Sequence, residues 1–174
     1  MSAYAEFIPL NIAVLTVSDT RDPGSDTSGD ILVEGLEREG HISIARALVK
    51  DDIYQIRAVI SRWIADTGVQ AILITGGTGF SGRDSTPEAI SPLFDKTIEG
   101  YGELFRQISW KDIGTSTIQS RTVAGLANRT PIFSMPGSNN ACATAWKKII
   151  REQLDSRQNP CNFVGIILGK HENQ

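Results

Sequence analysis

Short apolar runs alternate along this chain with stretches in which apolar residues recur at helical spacing. Four runs rich in apolar residues are predicted to be strands; they are residues 11–18, 42–49, 69–75 and 130–135. The composition of 11–18 and 69–75 is typical of strands buried on both faces of a sheet. Helical spacing follows the first, second and fourth runs, with apolar positions that begin at Ile31, Ile53 and Ala141. Strands that alternate with helices predict an α/β fold with three layers, α/β/α, around a mainly parallel sheet.

The segments between these elements are less regular. The first helix should follow a loop at 19–30 that is rich in Asp, Gly and Ser. Residues 86–128 are predicted to be mostly helical, beginning with a helix that starts at Pro87 and has Ser85 or Thr86 as its N-cap.

No repeat, low-complexity stretch or change in composition marks a linker along the chain. Residues 1–174 are therefore expected to form a single domain, which is long enough to bury its own core. Residues 156–174 are expected to form an irregular C-terminal tail with a short strand at 162–168.

Glycines are unusually dense in the segment that follows the third apolar run, residues 76–84. The segment matches G-x-G-x-x-G, but no helix opens within the motif and no strand follows at the spacing of a dinucleotide-binding fold. It also approaches the P-loop pattern, although Arg83 and Asp84 stand where that pattern needs Lys and Ser or Thr. What remains is a strand-end loop beside a helix N-terminus, whose main-chain N–H groups suit a phosphate.

Acidic residues follow two of the predicted strands. Asp84 ends the glycine-rich segment, and Asp51 and Asp52 follow the second apolar run. The carboxyl ends of parallel strands share one edge, so these residues should meet the loops that begin at 18 and 134 there. Mg²⁺ in proteins takes one or two carboxylates together with phosphate oxygens, which makes these aspartates candidate metal ligands. The alternatives are that Asp84 caps a turn and that the other two form a solvated turn and helix N-cap.

Three further charged residues are candidates with an ordinary alternative. Glu103 and Arg106 lie three positions apart on a predicted helix, where they form a surface ion pair or pack against the loops. Arg121 is either an anion-binding residue or an exposed arginine.

Cysteine and histidine usage excludes two other classes of site. Cys142 and Cys161 have no metal-ligand spacing and are expected to be buried or inert thiols. The two histidines, His41 and His171, lie far apart in sequence. We therefore expect neither a Cys/His zinc site nor a histidine-based catalytic triad.

Charge and hydropathy narrow the possible partners. A formal net charge of −3 and a pI of about 5.4 argue against a nucleic-acid-binding protein that depends on phosphate contacts. The first residues carry no signal-peptide pattern, and no run approaches the roughly 18–20 apolar residues of a membrane span. The cytoplasm is the expected location, with no membrane partner.

Six segments together resemble the MoaB/MogA family of molybdenum-cofactor biosynthesis proteins. They are "VLTVSDTR", "DTSGD", "LITGGTGFSGRDSTPEA", "GYGELFRQIS", "STIQSR" and "SMPGS", which cover residues 10–155 in the family's order. The beginning of the chain, "EFIPLNIAVLTVSDTR", and "NPCNF" near its end are closer to the MoaB branch.

The resemblance implies a three-layer α/β fold that binds molybdopterin, and transfer of AMP from Mg-ATP to the terminal phosphate of molybdopterin. It implies catalytic and Mg²⁺-binding roles for Asp51 and Asp84. Substrate- and nucleotide-binding residues would be Ser18, Asp19, Asp26, Ser28, Gly29, Thr75, Gly76, Gly77, Thr78, Gly79, Glu103, Arg106, Ser109, Ser120, Arg121, Pro136, Gly137 and Ser138. The resemblance further implies a homo-oligomer, a trimer or a hexamer, and other molybdenum cofactor biosynthesis proteins are possible partners.

One position departs from the MogA pattern, because Lys50 stands where such chains commonly have proline. The alternative function is a non-catalytic accessory protein of the same fold that binds molybdopterin or a precursor. Retention of both Asp51 and Asp84 favours the enzyme.

Overall fold

The computed structural model describes residues 6–169, which contain six strands and seven α-helical segments. The strands are β1 (Asn11–Val17), β2 (Ile42–Val49), β3 (Ala71–Thr75), β4 (Lys96–Thr97), β5 (Ala124–Ala127) and β6 (Thr130–Met135). The α-helical segments are α1 (Thr27–Arg38), α2 (Ile53–Ala65), α3 (Thr86–Ile90), α4 (Glu99–Ile113), α5 (Asn139–Ala145), α6 (Arg151–Gln153) and α7 (Val164–Leu168). A π-helical turn, Trp146–Ile150, joins α5 to α6, and 3₁₀ turns follow α3 and α4.

The six strands form one sheet in the order β2-β1-β3-β6-β5-β4. Strands β2, β1, β3 and β6 are parallel, whereas β5 is antiparallel to both β6 and β4. Strands β5 and β6 form a hairpin whose turn residues, Asn128 and Arg129, have φ of 48° and 60°. The carboxyl ends of the four parallel strands therefore lie together at one edge of the sheet.

Helices cover both faces of the sheet because neighbouring strand residues point to opposite sides. Val14 belongs to a core cluster with residues of α1, α4, α5 and α7, whereas its neighbour Leu15 packs with residues of α2 and α3. Leu73 and Ile74 divide between the two clusters in the same way. The predicted three-layer α/β architecture with a mainly parallel sheet is thus confirmed.

Two helices begin earlier than the sequence predicts. Helix α1 starts at Thr27, inside the predicted loop 19–30, because the Asp26 carboxylate caps it by accepting a hydrogen bond from the N–H of Gly29. Helix α3 starts at Thr86 rather than at Pro87, so the proline is its second residue.

The prediction for 86–128 is wrong where the chain forms β4 and β5. Strand β4 has only two residues, both exposed, and β5 has the sequence AGLA, with no β-branched residue to mark it. Among the helices of residues 6–169, none is long and apolar enough to cross a membrane.

The short strand predicted at 162–168 is also wrong, because this segment contains α7. Val164 and Ile167 are three positions apart and both are fully buried in the core, which a helical turn allows. The side chain of Asn162 accepts a hydrogen bond from the N–H of Val164 at 2.9 Å and supports the first turn. Residues 170–174, which include His171, lie outside the described part of the chain.

Candidate functional site

A cleft of about 520 Å³ opens at the carboxyl edge of the parallel strands, and we call it the main cleft. Loops that follow β1, β2, β3 and β6 supply its walls, and residues after α4 supply part of its rim. Of the residues expected in the site, those that line this cleft are Ser18, Asp19, Ser28, Asp51, Thr75, Gly76, Gly77, Thr78, Gly79, Asp84, Ser120, Pro136 and Gly137. The structure therefore brings four strand-end segments together as the parallel topology predicts.

The loop between β3 and α3, residues 76–85, is called the glycine loop below. Gly76 has φ of 102°, and a Cβ there would overlap the carbonyl oxygen of Val17. A Cβ on Gly77 would lie 2.6 Å from Asp51 Oδ2, and one on Gly79 would lie 2.8 Å from Asp84 Oδ2. The glycines thus let the main chain pass the end of β1 and lie directly beside two carboxylates.

The main-chain N–H groups of the glycine loop fall into two sets. That of Gly76 donates to the carbonyl oxygen of Met135 at 3.0 Å and joins the loop to β6. Within the described residues, the N–H groups of Gly77, Thr78 and Gly79 donate to no protein acceptor. Three successive N–H groups beside a cleft form the kind of concavity that binds phosphate oxygens.

Asp51 lies half-buried at the end of β2 and faces the cleft. Its Oδ1 accepts hydrogen bonds from the N–H of Ser85 at 3.0 Å and from Ser85 Oγ at 2.5 Å. Burial raises the pKa of Asp51 above its ordinary value, the bonds from Ser85 oppose this effect, and the charges of Asp84 and Asp19 reinforce it. A nearby cation would relieve this unfavourable position of the Asp51 carboxylate.

Asp84 and Asp52 resolve the alternatives that the sequence leaves open. Asp84 Oδ2 accepts the N–H of Ser81 at 2.8 Å, so Asp84 closes a turn and lines the cleft at the same time. Asp52 caps α2 by accepting the N–H groups of Tyr54 and Gln55, and it does not line the cleft. The two adjacent acids therefore differ in position, and Asp51 is the one beside the glycine loop.

The acidic residues fit a magnesium ion that is shared with a substrate rather than held by protein alone. Asp84 within the glycine loop and Asp51 beside it have carboxylate oxygens of the kind that Mg²⁺ prefers. In the described part of the chain no group of three or more His, Cys, Asp or Glu side chains could hold a metal. Mg²⁺ commonly takes one or two carboxylates and completes its six ligands with phosphate oxygens and water.

Arg121 holds the glycine loop from behind instead of facing the cleft. Its Nε donates to the carbonyl oxygen of Gly79 and its Nη2 to that of Asp84, each at 2.8 Å. Its Nη1 pairs with the Glu88 carboxylate, and the guanidinium stacks over Phe80 at 5.1 Å from the ring centroid. All these partners belong to the protein, so Arg121 fixes the loop's shape and is not placed as the anion partner that the sequence suggests.

Asp26 and Gly29 lie beneath the cleft and do not line it. Asp26 accepts hydrogen bonds from Thr16 Oγ1 and Arg46 Nη2, each at 2.8 Å. Burial alone would raise the pKa of Asp26, but these bonds and that from the Gly29 N–H lower it below its ordinary value. A Cβ on Gly29 would overlap the Asp26 carboxylate, so glycine lets α1 begin close to this carboxylate. This group supports Ser28, which does line the cleft.

Sequence reasoning missed two arginines that line the main cleft. Arg21 Nη2 donates to the carbonyl oxygen of Gly137 at 3.0 Å, and its Nη1 donates to Ser28 Oγ. Arg83 donates to both carboxylate oxygens of Asp19, at 2.5 and 2.9 Å. Their position in the loops that follow β1 and β3 is the signal that could have found them.

Four of the expected residues line smaller cavities. Ser109 and Ser138 line one of about 110 Å³, called the side cavity, which shares Ser120 and Pro136 with the main cleft. Ser120 Oγ is buried there and, within residues 6–169, has no hydrogen-bond partner.

Glu103 and Arg106 line a separate pocket of about 290 Å³. Within the described residues they form no ion pair with each other, because Arg106 Nη1 points to the carbonyl oxygen of Ser120 at 3.4 Å. The alternative of a helical ion pair is therefore wrong.

Cys142, Cys161 and His41 do not line the main cleft. Cys142 is fully buried with its Sγ 3.1 Å from Thr75 Oγ1, and burial raises the pKa of its thiol to about 11. Cys161 is exposed, and neither cysteine is in a disulfide. His41 is buried and its Nδ1 accepts the N–H of Leu10 at 3.2 Å.

A glycine loop with free N–H groups, three carboxylates and two arginines line a cleft at the carboxyl edge of a parallel sheet. These features are typical of an α/β protein with a site for phosphate-bearing ligands. A family model described as a probable molybdopterin binding domain matches residues 13–156. The chain belongs to the MoaB/MogA family, and its function lies within molybdenum cofactor biosynthesis.

Three relatives illustrate how far this likeness extends. The chain is 56% identical over 158 residues to molybdenum cofactor biosynthesis protein B of Escherichia coli (strain K12), covering 91% of this chain and 93% of that protein. A crystal structure of molybdenum cofactor biosynthesis protein B has a TM-score of 0.85 at 38% identity, covering 95% of this chain and 98% of that one. The tungsten cofactor synthesizing protein MoaB from Pyrococcus furiosus has a TM-score of 0.75 at 34% identity, covering 83% and 92%.

Proposed function

We propose that the main cleft transfers AMP from Mg-ATP to the terminal phosphate of molybdopterin. An oxygen of that phosphate attacks the α-phosphorus of ATP, a new P–O bond forms, and the bond from the α-phosphorus to the oxygen that bridges to the β-phosphate breaks. The products are adenylylated molybdopterin and pyrophosphate. The observation that carries the proposal is the convergence of Asp51 and Asp84 on one glycine loop with unpaired N–H groups.

The glycine loop would bind the phosphates of ATP. The N–H groups of Gly77, Thr78 and Gly79 are free to donate to phosphate oxygens, and Arg121 fixes the loop before any ligand enters. Donors that are already in position need no reorganisation as charge develops, and such electrostatic positioning is the main contribution of protein to phosphoryl transfer.

Asp51 and Asp84 would hold the magnesium ion that accompanies ATP. When bound, Mg²⁺ neutralises phosphate charge and orients the phosphate groups. Burial raises the pKa of Asp51 and the charges of Asp84 and Asp19 add to this effect, which supports the role because a nearby cation would stabilise the charged carboxylate. The hydrogen bonds from Ser85 keep Asp51 oriented toward the glycine loop.

The side cavity would receive the pterin end of molybdopterin. It shares the lining residues Ser120 and Pro136 with the main cleft, so a ligand that spans both would have its phosphate toward the glycine loop. Within residues 6–169 the buried Ser120 Oγ has no hydrogen-bond partner, and we assign it to the ligand. Ser109 and Ser138 line the same cavity, and we assign Ser109 to the pterin end and Ser138 to the loop that closes the site. A homo-oligomer, trimer or hexamer, is part of the same proposal.

Single substitutions of the two acids test the proposal, with the neighbouring acid as control. Asp51→Asn and Asp84→Asn should each lower the rate of adenylyl-molybdopterin formation about 100-fold or more, while molybdopterin binding is retained. Asp52→Asn keeps a good N-cap residue outside the cleft and should change the rate less than about twofold. Full activity in both cleft variants would refute the metal-site assignment.

The same assay separates the enzyme from the non-catalytic alternative. If the wild-type protein binds molybdopterin but forms no adenylylated product with Mg-ATP, the chain is a binding protein on this fold. If pyrophosphate release requires molybdopterin, that alternative is excluded.

A further inference from the structure

The ion pair between Arg83 and Asp19 bridges two walls of the main cleft. Asp19 follows β1, Arg83 lies in the glycine loop, and both line the cleft. Two hydrogen bonds join them, Nε to Oδ2 at 2.5 Å and Nη2 to Oδ1 at 2.9 Å. Asp19 Oδ1 also accepts the N–H of Asp51 at 3.1 Å, so the Asp19 carboxylate has a second anchor without Arg83.

Because both side chains are at least partly exposed, a ligand can readily replace Asp19 as the partner of Arg83. The side chains of Arg83 and Asp19 are 64% and 33% exposed, respectively. Exposed ion pairs contribute little to stability because water and salt screen them. A phosphate, which carries more negative charge than a carboxylate and accepts the same two parallel hydrogen bonds, is a stronger partner for a guanidinium.

Charges around the cleft single out Arg83 among the arginines that line it. Arg21 already donates to the Gly137 carbonyl and to Ser28, and it lies 3.7 Å from the buried carboxylate of Asp26. Within residues 6–169, the side chain of Arg83 has only the partly exposed carboxylate of Asp19 as a hydrogen-bond acceptor. It is therefore the cleft arginine that a ligand can engage without breaking the surrounding fold.

We propose that the Arg83–Asp19 pair is a displaceable latch, in which Arg83 leaves Asp19 and binds a phosphate group of the nucleotide. After Arg83 has moved, Asp19 remains in place because it still accepts the N–H of Asp51. In the free protein Asp19 competes with the ligand for Arg83, and ligands without a phosphate cannot displace it. This inference rests on the proposed function for the identity of the nucleotide, whereas its phosphate chemistry does not depend on AMP transfer.

The latch predicts that removing the carboxylate of Asp19, a residue that lines the cleft, strengthens ligand binding instead of weakening it. Calorimetric titration of the full chain with magnesium pyrophosphate should give about threefold to fivefold tighter binding for Asp19→Asn, because Arg83 no longer has a competing carboxylate. Arg83→Gln should weaken binding about tenfold, and Arg83→Lys should restore part of that loss as a point charge. Both positions are on the surface, so thermal unfolding of the variants should match that of the wild type.

The double variant decides between a latch and simple charge removal. In the Arg83→Gln background, adding Asp19→Asn should leave pyrophosphate affinity nearly unchanged, because no guanidinium remains to release. Equal tightening by Asp19→Asn in both backgrounds would overturn the latch, as would weaker binding by Asp19→Asn alone. Tighter binding that depends on Arg83, in a protein that forms no adenylyl-molybdopterin, would support the latch and refute the proposed AMP transfer.

Discussion

The loops after β3 and β6 leave neighbouring strands at the same edge of the sheet, but they are built in different ways. The glycine loop begins with Gly76 at a φ of 102°, where a side chain would overlap the end of β1. The loop after β6 is short, because Ser138 already caps α5. Its Gly137 would place a Cβ 3.4 Å from the nearest atom, which is ordinary contact.

The difference shows that two glycine-containing loops at the same edge of the sheet have different roles. The glycine loop has free N–H groups and carboxylates along it, and Arg121 has to fix its shape from outside. The loop after β6 is fixed by the helix that follows it at once, and it closes the wall of the cleft. Substitutions in the first loop should therefore affect both stability and chemistry, and those in the second should affect less.

The largest expected effect is that of a methyl group at Gly76. Gly76→Ala should lower the free energy of unfolding by about 3 kcal/mol, because alanine disfavours this φ and its Cβ overlaps the Val17 carbonyl. Gly137→Ala is the matched change in the other loop and should cost less than about 1 kcal/mol. Urea unfolding of both variants measures this contrast, and equal costs would show that the two glycines are not used differently.

An intermediate effect is expected when the glycine loop loses its outer support. Arg121→Ala should lower kcat/KM about 10- to 100-fold and raise the Mg²⁺ concentration needed for half-maximal rate, because Arg121 holds the main chain of Asp84. Arg121→Lys should recover part of this loss.

Arg57→Ala is a control for general destabilisation by loss of an arginine. Arg57 donates to the carbonyl oxygens of Ala89 and Glu88 on α3 and, in the described part of the chain, makes no hydrogen bond to the glycine loop. Its removal should lower thermal stability without a change in the Mg²⁺ dependence of the rate. A shift of the Mg²⁺ dependence in Arg57→Ala as large as that in Arg121→Ala would contradict the specific role of Arg121.

The smallest expected effect is a change in the free energy of unfolding, because the charged carboxylate of Asp51 destabilises the folded protein. Its pKa is raised in the folded protein by burial, so the native state binds the proton more tightly than the unfolded chain. The free energy of unfolding therefore falls as pH rises through the window from the unfolded value of 3.8 upward, and the penalty is complete at neutral pH.

Asp51→Asn should accordingly stabilise the protein at pH 7 by about 0.5 kcal/mol while it abolishes activity. Urea unfolding at pH 7 and below pH 3.8 tests this, and the gain should vanish at the lower pH. Asp26→Asn should have the opposite sign at pH 7, because the pKa of Asp26 is lowered by its partners. A loss of stability for Asp51→Asn at neutral pH would show that the charged Asp51 carboxylate does not destabilise the folded protein.

Sequence reasoning succeeded where one rule of topology was enough. Strands β2 and β6 have the predicted bounds. All residues of β6 are buried, as expected of a parallel strand inside a sheet, whereas β2 is an edge strand with no buried residue. The meeting of Asp51 and Asp84 follows from the shared edge of parallel strands and needed no knowledge of side-chain direction.

Side-chain direction is what the sequence could not supply. Arg121 reaches carbonyl groups 42 and 37 positions away, and Arg83 reaches a carboxylate 64 positions away. The direction of a long flexible side chain depends on its tertiary neighbours. The sequence therefore suggests Arg121 as an anion-binding residue and gives no reason to choose Arg83. Strand β5 was missed for a related reason, because its small residues become a strand only when paired with β6.

Transfer of a labelled α-phosphorus tests the central claim most directly. Wild-type protein incubated with molybdopterin, Mg²⁺ and ATP labelled at the α-phosphorus should move the label to the pterin product and release one pyrophosphate for each label transferred. Without Mg²⁺, or with Asp84→Asn, the label should stay in ATP. Molybdopterin that binds to the wild-type protein while all the label remains in ATP would contradict the account.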